Sequence, residues 1–171
     1  MSDDDAWLFL PATDRVRRLP ASERVDAFMG TDLSYGDIRD NFRFPLEHWR
    51  FRTTGTDTLD GQELTVLEGV AKSEESAQEM GYGRFEALVD ETSLFPVLIE
   101  YFDVHDQPLK RVTVSDVGLV GEAWTALAFD VVNHQTGHRT EVFFDNMRAV
   151  PNLEERVFQA AALVDGTPRV P

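Results

Sequence analysis

The feature that most constrains this chain is a succession of strand-like runs, from His48 onward, each closed by a short polar turn. HWRFRTTG places Trp49, Phe51 and Thr53 on one face and Arg50 and Arg52 on the other, the period-two alternation of a strand with one buried side. Leu59-Asp60-Gly61 turns the chain into QELTVLEGVAK, and SEESAQEMG (73–81) reads as a polar hairpin connection. GRFEALVD alternates Phe85, Ala87 and Val89 with Arg84, Glu86 and Asp90. LFPVLIEYFD sets Val97, Ile99 and Tyr101 opposite Leu98, Glu100 and Phe102. Pro96 has no N–H and belongs at a strand start or where the ladder needs no donor. PLKRVTVSDVGLV, AWTALAFDVVN and HRTEVFFDNMRAV continue the pattern, with turns at Gly121 and at 134–137. Strands that follow one another through tight turns favour an antiparallel sheet that curls.

Two shorter runs, AWLFL (6–10) and RVRRL (15–19), precede this meander, separated by a turn-like Pro-Ala-Thr-Asp. Between them and His48, residues 22–42 lose the alternation and suit one or two short helices. Ser34 and Asp37 fit a capping box that would start a helical turn, although Gly36 inside it is unfavourable. The tail NLEERVFQAAALVDG reads as a short helix opening on an Asn152–Glu155 cap. The expectation is about nine strands with one helical or irregular insertion. LFPVLIEYF, TALAFDVV and EVFFDNM are apolar on both faces, so one face packs a core while the other either lines a cavity or is covered by the insertion.

At 171 residues the chain is most simply one domain. It has no cysteine, which removes disulfides, thiolate metal sites and thiol nucleophiles. A formal net charge of −15 opposes nucleic-acid binding, which requires basic surface to displace phosphate counterions. No run reaches the ~18 apolar residues of a membrane-spanning helix, and Met-Ser-Asp-Asp-Asp does not begin as a secretory signal does. His134 and His138 stand four apart, but Thr136-Gly137 between them points to a hairpin tip, not to helical metal ligands. His48 opens a strand and His105 sits in an acidic turn. GxSxG, GxGxxG and P-loop patterns are absent from the sequence. The reading is of a chain with no catalytic constellation, no metal site and no cofactor.

The arginines are more informative. Arg15, Arg17 and Arg18 crowd one short strand and Arg24 follows, while Asp26, Asp32 and Asp37 lie in the neighbouring segment. Guanidinium grips carboxylate through two parallel hydrogen bonds. The cluster is expected to pin that segment to the sheet, or else to hold an anionic head group.

WLFLP at 7–11, RVRRL at 15–19, SER at 22–24 and FMGTDLSYGD at 28–37, in that order and spacing, resemble the outer-membrane lipoprotein-sorting proteins of the LolA/LolB-like superfamily. LFPVLIEYFD (94–103) and GEAWTALAFDVVNHQTGHRTEVFF (121–144) are similar to later parts of that group. Members are usually longer, with a signal peptide, a helix and further strands ahead of the WLFLP-like strand. The expectation is therefore one LolA-like domain over 1–171, shortened at its N-terminal side, with an open sheet edge that invites pairing between chains. Gly36 stands where relatives more often carry an acid, and Leu33 where they often carry an aromatic residue.

The resemblance implies a mainly β (α+β) fold: a curved antiparallel half-barrel with a helical or loop plug on its apolar concave face. It implies a periplasmic carrier or sorting protein for lipoproteins or lipids, with no enzymatic step and with an inner-membrane transporter as partner. An envelope adaptor docking through its acidic face or open edge is the alternative. In this picture Phe28 and Met29 occupy the hollow, flanked by Leu33 and Tyr35, and Gly30 allows the reversal behind them. Asp32 and Asp37 anchor the flanks to the arginine strand. Trp49, Phe51, Val97, Ile99, Tyr101, Trp124, Leu127, Phe129 and Phe144 are the candidate cavity or core residues.

Overall fold

The computed structural model describes residues 6–41 and 43–163. Its main body is an antiparallel meander of β3 (Trp49–Leu59), β4 (Gln62–Ala71), β5 (Arg84–Asp90), β6 (Phe95–Phe102), β7 (Pro108–Val120), β8 (Ala123–Asn133) and β9 (Arg139–Phe143), side by side in chain order. The sheet does not close: β3 and β9 are its edges among the described residues. β1 (Ala6–Leu10) and β2 (Arg15–Leu19) pair only with each other, as a separate hairpin. The expected class, a mainly β half-barrel with few short helices, is the one that forms.

Bulges shape the sheet. Thr54, Val97, Leu109, Ser115 and Leu127 each fall out of register between paired neighbours. An extra residue on one strand bends it and sharpens the local twist. With such irregularities spread from β3 to β8, the sheet curls into a trough.

The two faces differ in chemistry. Trp49, Phe85, Ile99, Val112, Phe129 and Val131 are buried on the concave side. Gly69 is required there: a Cβ at that position would stand 2.1 Å from the Phe85 ring. On the other side Arg52 pairs with Glu68 at 2.8 Å, Arg111 with Glu100 at 2.6 Å and Arg84 with Asp106 at 2.8 Å. Exposed pairs of this kind contribute only about 0–1 kcal/mol each. Their main effect is to keep the convex face wet and direct burial to the trough.

Residues 73–81, expected as a hairpin connection, contain instead helix α2 (Glu74–Met80). Ser73 Oγ accepts from the Ser76 N–H at 3.1 Å, and Gly81 at φ 80° ends the helix. A serine N-cap, good helix formers and a terminal glycine were all visible in the sequence. The tail forms two short helical turns, Glu155–Phe158 and Ala160–Leu163. The first is entered at Glu154, which makes no side-chain cap, so Asn152 is not the N-cap that was expected.

Residues 20–48 cross the concave face. Among the described residues they hold a 3-10 turn (Ala21–Glu23) and the helix α1 (Tyr35–Asp40). The expected capping box closes it: Ser34 Oγ accepts from the Asp37 N–H at 3.1 Å, and Asp37 Oδ2 accepts from the Ser34 N–H at 2.6 Å. Ahead of it, the Phe28 N–H donates to the Leu33 carbonyl at 2.7 Å and the Tyr35 N–H to the Asp26 carbonyl at 3.2 Å, folding the segment on itself. Gly36 has a reason in this arrangement. Its N–H reaches the Arg24 carbonyl at 2.8 Å, where a Cβ would come within 3.3 Å of the same oxygen.

Candidate functional site

Between the trough and the crossing segment lies a cavity of about 490 Å³. Its floor is made by the sheet residues Trp49, Tyr101, Val112, Ala126, Phe129 and Val142, and its roof by Phe28, Leu33, Ile38 and Phe44. Phe44 lies parallel to Phe85 with ring centroids 3.9 Å apart and meets Trp49 edge-on at 6.5 Å. The volume falls within the ~300–1,000 Å³ range of small-molecule sites, and the floor is apolar as such sites usually are.

The roof is tied down by a buried polar cluster. Lys110, 3% exposed, projects from β7 on the same face as Val112 and donates to Asp37 Oδ2 and, at 3.1 Å, to the Asp32 carbonyl. The Tyr82 hydroxyl donates to Asp37 Oδ1 at 2.8 Å. The Lys110 ammonium also sits 5.0 Å from the Tyr82 ring centroid and 5.6 Å from that of Tyr101, a cation–π cage. Burial, reinforced by the Asp37 charge, pushes both phenols well above the ordinary tyrosine value. A second tie joins Asp32 to β9: Thr140 Oγ1 donates to Asp32 Oδ2 at 2.7 Å, and His138 Nδ1 lies 2.7 Å from the same oxygen. A third joins Arg24 to Glu79 of α2 at 2.7 Å.

These ties correct the expected anchoring. Asp32 and Asp37 are held by β7, β9 and Tyr82, not by the arginine strand. The reason is topological: β2 pairs with β1 alone, whereas Lys110 and Thr140 stand on strands of the seven-stranded sheet. Arg17 takes Glu23 at 2.6 Å within its own segment, Arg15 is exposed, and Asp26 contributes its carbonyl to Tyr35. His134 and His138 flank the expected turn but take separate carboxylates, Glu100 and Asp32.

The candidate apolar residues divide into three groups. Phe28, Leu33, Trp49, Tyr101, Phe129 and Phe144 line the cavity. Phe51 and Ile99 belong to the packed core beneath it. The others lie elsewhere. Met29 is 71% exposed, because it and Gly30 carry positive φ values (50° and 79°) that turn the loop tip outward. Trp124 is 42% exposed, opposite Leu119 at the far end of the β7–β8 hairpin. Val97 and Leu127 are bulge residues, which breaks the alternation that had aimed them inward. Tyr35 packs edge-on against Phe28 at 5.4 Å. Sequence reasoning missed Phe44, Tyr82 and Lys110. Alternation in PLKRVTV puts Lys110 on the face of Val112 and Val114, and that lone cation on an apolar face was the available signal.

A family model described as an uncharacterized protein family, DUF1329-like, matches residues 1–165. The chain belongs to that family. Among solved structures, the chain is similar to a domain assigned to outer membrane lipoprotein sorting from Vibrio parahaemolyticus, with 29% identity and a TM-score of 0.84 over 96% of this chain and 67% of that one. It is also similar to a DUF1329 family protein from Desulfovibrio piger, with 28% identity and a TM-score of 0.83 over 95% of this chain and 65% of that one. A LolA superfamily protein from Nitrosomonas europaea, at 19% identity and a TM-score of 0.67, covers 93% of this chain and 68% of its own and shows the fold alone. This chain thus spans about two thirds of each relative's length. The expected resemblance to the lipoprotein-sorting and LolA group is met. Curated protein sequences contain no match.

Proposed function

We propose that this protein is a non-catalytic periplasmic carrier that takes an acyl chain of a lipoprotein or lipid into the trough between the sheet and the crossing segment. The observation that carries the reading is the apolar cavity itself, floored by Trp49, Phe129 and Val142 and roofed by a segment held through only a few polar ties. Burying methylenes is worth about 0.8 kcal/mol each, so a chain of modest length supplies enough free energy to compete with the roof for the floor. The similarity to a lipoprotein-sorting domain supports the same reading.

The test is a titration with cis-parinaric acid, a fluorescent fatty acid. Saturable binding to the wild type is expected, and Ala126→Trp, which places a large ring in the floor, is expected to abolish it while the thermal unfolding transition persists. Equal binding by both proteins would place the fatty acid elsewhere and remove the proposal.

A further inference from the structure

The cavity lining is not uniformly apolar, and its charges do not all pair with one another. It includes three carboxylates, Asp37, Asp40 and Glu79, and three arginines, Arg24, Arg39 and Arg43. Each carboxylate is already matched: Asp37 by Lys110, Asp40 by Arg39 at 2.6 Å, and Glu79 by Arg24 at 2.7 Å. Arg43 is left over, with no ion-pair or hydrogen-bond partner for its guanidinium among the described residues. The chain carries 31 acidic residues against 16 basic ones, so carboxylates are abundant. On the convex face Arg52, Arg84, Arg111 and Arg139 all find one. An arginine without a carboxylate at the wall of an apolar cavity can donate to an external anion.

His48 extends the argument. It also lines the cavity, and its main chain is committed, with its N–H donating to the Pro45 carbonyl at 3.1 Å and its carbonyl accepting from Lys72 at 2.9 Å. Its imidazole has no partner among the described residues. Arg43 and His48 bracket the short segment whose Phe44 stacks on Phe85. Both side chains line the same cavity as Phe44, and that cavity continues to the apolar side chains of Phe129, Val142, Phe144 and Met147. Polar capacity is local and apolar length is extended, which is the complement of an amphiphile.

We infer that the site selects a single-chain amphiphile with an anionic head, a carboxylate or a phosphate monoester, and that Arg43 and His48 hold the head while the tail lies along the trough. This rests on the carrier reading and gives it a ligand class. Arginine suits either head because its planar fork presents paired donors to two oxygens at once.

Isothermal titration of the wild type and of Arg43→Ala with dodecanoate, dodecyl phosphate, dodecanol and dodecyltrimethylammonium, each below its aggregation concentration, tests the inference. The wild type should bind the two anions about 10-fold more tightly than dodecanol or the cation, and Arg43→Ala should weaken the anions about 3–10-fold while changing dodecanol less than about 2-fold. Arg43→Lys should recover part of the loss. The ratio of dodecanoate to dodecyl phosphate identifies the preferred head. Arg43 is exposed and unpaired, so the variants should keep the wild-type unfolding midpoint. Equal affinity for all four head groups, unaltered in Arg43→Ala, overturns the head-group assignment and leaves the carrier reading standing. An absence of saturable heat with every ligand overturns both.

Discussion

The ammonium of Lys110, on the sheet, meets the carboxylate of Asp37, at the start of α1, with the two side chains only 4% and 13% exposed. The same carboxylate caps the helix through Ser34 and receives the Tyr82 hydroxyl. One acidic residue therefore starts the roof helix and fastens it to the floor. Removing one member of a buried pair leaves the other charged without a partner, at a cost of about 3–5 kcal/mol. Lys110→Met is expected to lower the free energy of urea unfolding by that amount. Lys110→Met combined with Asp37→Asn should be less destabilised than the sum of the two single changes, since neither charge is then stranded.

The alkaline limb of stability follows from Tyr82 and Tyr101. Burial first, and then the negative charge of Asp37, raise both phenols in the folded state. The native protein therefore holds these protons when the unfolded chain has released them. Their contribution is complete below the unfolded tyrosine value of about 10 and is lost as pH rises above it, at about 1.4 kcal/mol per pH unit for each tyrosine. Urea unfolding followed between pH 9 and about 11 should show the decline. Tyr101→Phe, which removes one of the two groups, should make it shallower.

Gly69 makes a prediction about the floor. A methyl there would penetrate the Phe85 ring, and overpacking of this kind costs typically about 1–3 kcal/mol. Gly69→Ala is expected to lower the unfolding midpoint and to shift the ring-current signals of Phe44, which stacks on the displaced ring.

Met29 and Phe44 should behave in opposite ways. Met29 projects into solvent, so Met29→Ala should change stability by less than about 0.5 kcal/mol and leave fatty-acid uptake unaltered. Phe44→Ala removes the ring that covers Phe85, and should cost about 2–4 kcal/mol while increasing uptake, because the space it vacates joins the cavity.

Much of the sheet could be read from alternation. The strands from β3 to β9 fall where the period-two pattern places them, and the Ser34–Asp37 cap forms as its spacing predicts. Alternation fails wherever a bulge inserts a residue, which is why Val97 and Leu127 were aimed at the wrong face. It also says nothing about which distant carboxylate a cation meets. The arginine strand is far nearer to Asp32 and Asp37 along the chain than Lys110 or His138, but the fold brings Lys110 and His138 to them in space. Met29 was misplaced because hydrophobicity alone does not fix direction. Two consecutive positive φ angles do, and a sequence announces only the one at glycine.

The central claim, that an acyl chain lies in the trough, is tested most directly by Trp49, which is 3% exposed at the cavity floor. In a protein carrying Trp7→Phe and Trp124→Phe, the remaining indole reports only from that position. Titration with a fatty acid brominated midway along its chain is predicted to quench Trp49 fluorescence saturably, with an unbrominated acid of equal length reversing the effect by competition. Fluorescence that stays constant while the fatty acid binds would contradict the account.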